Sequence, residues 1–146
     1  MGQPSIPLAL NPDGAFFIGV KVGRRSAEVV LGDMLGQIRD GVAQTYAHPE
    51  PGPVADFVLD GVARMMAQGD GARASGIGIA MPSEMWNWSS LIGMPTPRMD
   101  GWRDLNLGPR IAALTGLPVY TRNDATAACG AELMFGTAEL PANFLH

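Results

Sequence analysis

The sequence predicts an α/β protein in which helices cover a mixed β-sheet. Two observations lead to this fold class. The first part of the chain contains three short strand-like runs joined by tight turns, a pattern typical of an antiparallel meander. The remainder alternates amphipathic helical periodicity with short apolar runs, which indicates further strands connected by helices. With 146 residues, of which 47% are hydrophobic, the chain can bury one sizeable core.

The meander strands are predicted over residues 15–22, 26–31 and 37–46. The first is a compact apolar run, and the second alternates, with Ala27, Val29 and Leu31 on one face. Residues 1–14 contain three prolines and end in the turn signal Asn-Pro-Asp-Gly. They are predicted to be an extended lead-in that precedes a domain over residues 15–146.

The rest of the chain predicts a helix over 54–65, a strand over 76–80, a long loop over 83–104, a short helix over 107–114, a buried strand over 119–121 and a helix that ends at Gly136. Residues 143–145 resemble the start of another strand. The order is β-β-β-α-β-α-β-α, with an acidic residue after the last complete strand. This order is expected of a ribonuclease-H-like fold of the actin and hexokinase type.

Composition excludes several classes of protein. Ten basic and fourteen acidic residues give a net charge of −4, so the chain has no basic footprint for nucleic acid. A single cysteine allows no internal disulfide and fits a reducing, cytoplasmic setting. Neither His48 nor His146 has metal-ligand spacing, and no metal site is predicted. No apolar run is long enough to span a bilayer, and no signal peptide is visible.

Asn123 and Asp124 lie at the corner between the strand over 119–121 and the helix that follows it. In open α/β sheets, ligands bind in the crevice at the carboxyl ends of the strands. The same two residue types are also good helix caps, and a negative charge at a helix N-terminus is favourable. Spacing alone favours the cap over a ligand-binding role.

Three segments resemble the ROK family (repressor, open reading frame, kinase). The strand and proline turn Ile-Gly-Ile-Ala-Met-Pro at 77–82 is similar to the family strand that ends against the sugar. Asn123-Asp124-Ala125 resembles the family Asn-Asp-Ala motif, and Phe135-Gly136 continues it. The opening residues resemble the join that follows the winged helix-turn-helix in the repressor branch. The resemblance implies the N-terminal lobe of a ROK sugar-binding domain, with the second lobe and the DNA-binding domain outside this sequence.

By this resemblance, Asn123 and Asp124 are expected to bind sugar hydroxyls, with Ser83 as a weaker candidate. In the kinases of the family the aspartate takes the proton from the attacking hydroxyl, so Asp124 would be the general base of a kinase. Those kinases also carry an acidic residue and a Gly-Gly-Thr-Lys loop after the first strand. Here Lys21 stands where the carboxylate belongs and Arg24 replaces one glycine, which disfavours a Mg²⁺ and phosphate site. Alternatively, the cations near this turn could hold a sugar phosphate.

The resulting hypothesis is a sugar-sensing lobe of a ROK-type transcriptional regulator that does not phosphorylate its ligand. No cofactor is expected, since the family zinc motif lies beyond residue 146. The expected partners are a sugar or sugar derivative, DNA through a helix-turn-helix outside this sequence, and a second copy in a homodimer, with no membrane. One alternative is a fragment of an ATP- and Mg²⁺-dependent sugar kinase with Asp124 as base. Another is an interaction module in which Asp124 is only a cap.

Overall fold

A five-stranded mixed sheet forms the centre of the computed structural model, which describes residues 2, 4–67, 69–88, 93 and 99–135. The strands are β1 (Phe16–Val22), β2 (Ser26–Asp33), β3 (Ile38–Thr45), β4 (Ala74–Ala80) and β5 (Val119–Arg122), in the order β3-β2-β1-β4-β5. The first three pair antiparallel, whereas β1, β4 and β5 run parallel. The helices are α1 (Pro51–Met66), α2 (Leu107–Thr115) and α3 (Asp124–Phe135). The predicted fold class and element order are confirmed.

One face of the sheet carries the core. Alternate residues of β1 and β2 are buried, as their period-2 pattern predicts, and Ile77 and Ile79 of β4 extend the same face. Helix α1 covers this face with a buried stripe that includes Val58, Val62 and Met65. Gly61 lets α1 approach β2 closely, since a Cβ atom at this position would lie 2.9 Å from Cγ2 of Val29.

The hairpin between β2 and β3 is closed by a buried carboxylate. Asp33 accepts hydrogen bonds from the backbone N–H groups of Leu35 (2.9 Å) and Gln37 (3.0 Å) and from Nε of Arg39 (2.7 Å). Desolvation by itself would raise the pKa of Asp33, but these hydrogen bonds and the positive charge of Arg39 outweigh it, and the pKa lies below 3.8. Arg39 also contacts Asp13 at 2.9 Å, which attaches the lead-in to the sheet.

Helix α2 places its apolar residues Leu107 and Ile111 in the core and ends at Gly116. Gly116 has φ of 70°, the left-handed conformation in which glycine commonly terminates a helix. The turn that follows leads directly into β5. None of the helices in the described part of the chain is long and apolar enough to cross a membrane.

Strand β5 differs from the prediction of a buried strand. Val119 is half-buried, whereas Tyr120, Thr121 and Arg122 are exposed. The reason is topological: β5 is the edge strand of the described sheet, and Tyr120 lies on the face opposite the core. The long loop after β4 contains two short 3-10 turns, Met85–Asn87 and Asp100–Trp102. The strand predicted at 143–145 and the helix end at Gly136 lie outside the described residues.

Candidate functional site

The carboxyl ends of the parallel strands meet at one edge of the sheet, and a crevice of about 470 Å³ lies there. Its walls come from the end of β5, the loop after β4 and the turn before α2. The lining residues are Met81, Pro82, Ser83, Glu84, Trp86, Trp102, Arg103, Leu105, Asn106, Thr121, Arg122 and Asn123. The crevice is therefore in the place where open α/β sheets bind ligands.

Asn123 connects the two strand ends that form the crevice. Its Oδ1 accepts from the backbone N–H of Ala125 at 3.0 Å, so the side chain caps α3. Its Nδ2 donates to Oγ of Ser83 at 3.0 Å, across the crevice. The backbone N–H of Met81 donates to the carbonyl oxygen of Arg122 at 3.1 Å and holds the same two segments together. The structure thus brings Asn123 and Ser83 into contact. The Asn123 side chain both caps α3 and lines the crevice.

Asp124 is the first residue of α3 and is half-buried. Its Oδ1 accepts from the N–H of Ala125 at 3.0 Å, and its negative charge at the helix N-terminus is favourable. Among the described residues Oδ2 has no hydrogen-bond donor. Asp124 adjoins the crevice through Asn123 but is not one of its lining residues.

Glu84 is a lining residue that the sequence patterns did not single out. It has φ of 52°, the left-handed region that non-glycine residues adopt at a cost. Its Oε2 accepts from Nδ2 of Asn87 at 2.9 Å, which holds the carboxylate against the following turn.

The three tryptophans have different roles. Trp102 is buried, and its Nε1 donates to the carbonyl oxygen of Pro49 at 2.8 Å, so it anchors the loop to the core. Trp86 is half-buried in the crevice wall and has the guanidinium carbon of Arg103 at 6.0 Å from its ring centre. Trp88 lies near the turn after β1, with the guanidinium carbon of Arg24 at 6.0 Å from its ring centre.

The basic turn after β1 is closed rather than shaped as a phosphate cradle. Gly23 N–H donates to the Ser26 carbonyl at 2.8 Å, and the Tyr46 hydroxyl lies 2.8 Å from the Gly23 carbonyl and 2.7 Å from that of Ser26. Burial raises the pKa of Tyr46 to about 12, despite its bond to Gly23. Lys21 points to the sheet face opposite the core, while Arg24 lies at Trp88. Lys21 and Arg24 therefore do not converge on one point, which disfavours the alternative in which the cations near this turn bind a sugar phosphate.

Arg103, Asn106, Thr121 and Arg122 are further lining residues that sequence analysis missed. Arg122 directly precedes the Asn-Asp pair, so its place in the chain was a usable signal. Arg103 and Asn106 lie in a loop whose path only the fold determines. In the described residues, no three His, Cys, Asp or Glu side chains lie close enough to form a metal site.

Known proteins of similar sequence are transcriptional regulators. Rv0485 of Mycobacterium tuberculosis (strain ATCC 25618 / H37Rv), a transcriptional regulator, is 28% identical over 137 residues, which is 93% of this chain and 30% of that protein. The xylose repressor of Bacillus subtilis (strain 168) is 26% identical over 150 aligned residues, 99% of this chain and 38% of the repressor. The chain thus spans about a third of the length of these relatives.

A solved structure with the same fold is that of an inorganic polyphosphate/ATP-glucomannokinase from Arthrobacter sp. strain KM. It superposes with a TM-score of 0.63 at 24% identity, covering 89% of this chain and 52% of the kinase. The fold is therefore shared with sugar kinases. Residues 17–145 match the model of the ROK family, to which this chain belongs.

Proposed function

We propose that this chain is the sugar-binding lobe of a ROK-type transcriptional regulator and that it binds its ligand without phosphorylating it. The observation that carries the proposal is the contact of Asn123 with Ser83 across the crevice at the strand ends. An amide and a hydroxyl can each donate and accept, as neighbouring sugar hydroxyls require. Oδ2 of Asp124, which has no hydrogen-bond donor among the described residues, supplies a further acceptor beside them.

The turn between β1 and β2 supports sugar binding without phosphoryl transfer. A kinase of this family is expected to place a carboxylate at the position of Lys21, near the metal. Lys21 instead presents a cation on the opposite face of the sheet, where it pairs in register with Glu28. The turn itself is occupied by its own backbone hydrogen bonds and by Tyr46. A closed turn of this kind offers few free N–H groups to a nucleotide phosphate.

The relatives support the regulatory part of the proposal. Both are named as regulators, and one of them as a xylose repressor. In the intact protein, a sugar held between this lobe and a second lobe would shift a homodimer between two arrangements and so alter its affinity for DNA. Such a shift requires that the sugar bind one arrangement more tightly than the other. We place this protein in the cytoplasm, where a DNA-binding regulator acts.

The proposal is tested by calorimetric titration of neutral pentoses and hexoses into the full-length protein, with and without Mg-ATP. Asp124→Asn is titrated beside it, with Asp56→Asn on the exposed side of α1 as the matched control. We expect sugar binding that Mg-ATP does not change, that weakens about tenfold in Asp124→Asn through loss of a charged hydrogen bond, and that the control variant retains. No phosphate should be transferred.

Two other outcomes would contradict the proposal. Transfer of phosphate to the sugar, abolished in Asp124→Asn, would identify a kinase with Asp124 as its general base. The absence of sugar binding under all conditions would leave a protein interaction module in which Asn123 and Asp124 are only helix caps.

A further inference from the structure

Two arginines, Arg103 and Arg122, line the crevice. Arg122 is the last residue of β5, and its Nη1 donates to the neighbouring carbonyl of Thr121 at 3.0 Å. Arg103 follows the Asp100–Trp102 turn and lies over the ring of Trp86. One arginine therefore lies at the end of β5, and the guanidinium of the other lies over an aromatic ring of the crevice lining.

Neither guanidinium has a carboxylate partner in the described part of the protein. The ion pairs within 4.0 Å among the described residues involve Arg39, His48 or Arg64, none of which lines the crevice. The chain has fourteen acidic and ten basic residues, so carboxylates are in excess. Two arginines with no carboxylate within 4.0 Å among the described residues therefore place positive charge in one crevice of an acidic protein, and such charge attracts anions.

The carboxylate of the crevice does not cancel this charge by contact. Glu84 is held by Asn87 at 2.9 Å, away from an ion pair with either arginine. The polar side chains available to a ligand are two guanidinium groups, the amides of Asn106 and Asn123 and the hydroxyls of Ser83 and Thr121, with the Asp124 carboxylate beside them. Guanidinium groups bind carboxylates and phosphates with two parallel hydrogen bonds, which are stronger than those to neutral groups because both partners are charged.

We propose that the crevice binds an anionic monosaccharide derivative, a sugar that carries one phosphate or carboxylate group. Arg103 and Arg122 bind the anionic group, and the sugar hydroxyls meet Asn123 and Ser83. A crevice of about 470 Å³ has the size of pockets that hold small ligands. This inference rests on the proposed function, because it names the class of sugar that the same site binds.

The test compares matched ligands by calorimetric titration into the full-length protein. The probes are glucose, glucose 6-phosphate and glucuronate, the corresponding three forms of mannose, and inorganic phosphate alone. The variants are Arg103→Gln, Arg122→Gln and Arg122→Lys, with Arg110→Gln on the exposed side of α2 as the control. Circular dichroism of each variant verifies that it is folded.

We expect one anionic form to bind about 100-fold more tightly than its neutral parent, since each guanidinium hydrogen-bonded to a charged group contributes about tenfold. Each Arg→Gln change should reduce this preference about tenfold, and Arg122→Lys should restore only part of it because ammonium cannot bind bidentately. Raising the salt from about 50 to about 300 mM should weaken the binding of the anion and leave that of the neutral sugar unchanged. The phosphate and uronate arms identify which anionic group the site uses.

Four results would overturn the inference, and the first three separate it from the proposed function. If neutral and anionic sugars bind equally, the inference fails while the proposed sugar sensor stands. If inorganic phosphate binds as tightly as the sugar phosphate, the arginines form a simple anion site. If the preference for the anion survives in both Arg→Gln variants, the charge is recognised elsewhere. Failure of every sugar, neutral or charged, refutes the proposed function as well.

Discussion

Substitution of Asn123 separates the two hydrogen bonds on which the crevice depends. Asn123→Ala removes both the cap on Ala125 and the bond to Ser83. Asn123→Ser keeps a side-chain oxygen suited to the cap but is too short to reach across to Ser83. Ser83→Ala removes the same bridging bond from its other end. The three variants therefore distinguish a helix cap from a contact that joins two strand ends.

The expected magnitudes follow from these contacts. Loss of an Asn cap to Ala costs about 1 kcal/mol, and an exposed neutral side-chain hydrogen bond contributes about 0.5 kcal/mol. Asn123→Ala should therefore lower the free energy of unfolding by about 1.5 kcal/mol, and Asn123→Ser and Ser83→Ala by about 0.5 kcal/mol each. Combining the last two should cost little more than either alone, since both remove one bond.

Urea denaturation with an unchanged m-value measures the global effect. Because α3 can open locally, amide hydrogen exchange at Ala125 provides a second readout. Its exchange should accelerate in Asn123→Ala and remain close to the parent rate in Ser83→Ala. Equal effects of Asn123→Ser and Asn123→Ala would show that the cap contributes nothing, and full additivity of Asn123→Ser with Ser83→Ala would show that the bridging bond does not form.

Two further predictions concern the scaffold. Gly61→Ala should lower the free energy of unfolding by about 1 kcal/mol, because overpacking against Val29 costs about 2 kcal/mol and the higher helix propensity of alanine returns about 1 kcal/mol. The control is Gly52→Ala in the same helix, which has open space around it and should stabilise the protein slightly. Equal shifts of the melting temperature in the two variants would contradict the close approach of α1 to β2. The lowered pKa of Asp33 means that its contribution is fully present above the unfolded pKa and is lost as the pH falls below 3.8. The free energy of unfolding should therefore fall less steeply with decreasing pH in Asp33→Asn than in the parent protein. An unchanged slope would show that the hydrogen bond from Arg39 does not stabilise the charged Asp33 in the folded state.

The fold was largely predictable because its signals are local. Alternation in β1 and β2 and the helical spacing of Val58, Val62 and Met65 reflect which side chains leave water, and that preference is encoded residue by residue. Glycines marked the main turns, and Gly116 ends α2 for the reason that applies to any left-handed position. The burial of β5 was predicted wrongly, because a strand of four residues carries no information about whether it lies at the centre or the edge of a sheet.

The candidate site divides in the same way. The sequence by itself determined that Asn123 and Asp124 stand at a strand-to-helix corner, which is a property of neighbouring residues. Its resemblance to the ROK family implied that Lys21 replaces an expected carboxylate. Only the tertiary structure decided that Ser83, forty positions earlier, contacts Asn123, and that Arg103 and Arg122 line one crevice without carboxylate partners among the described residues. The physical reason is the parallel order of β1, β4 and β5, which brings distant strand ends to one edge of the sheet. The charge at that edge depends on which side chains come together in space, and no local sequence pattern predicts those contacts.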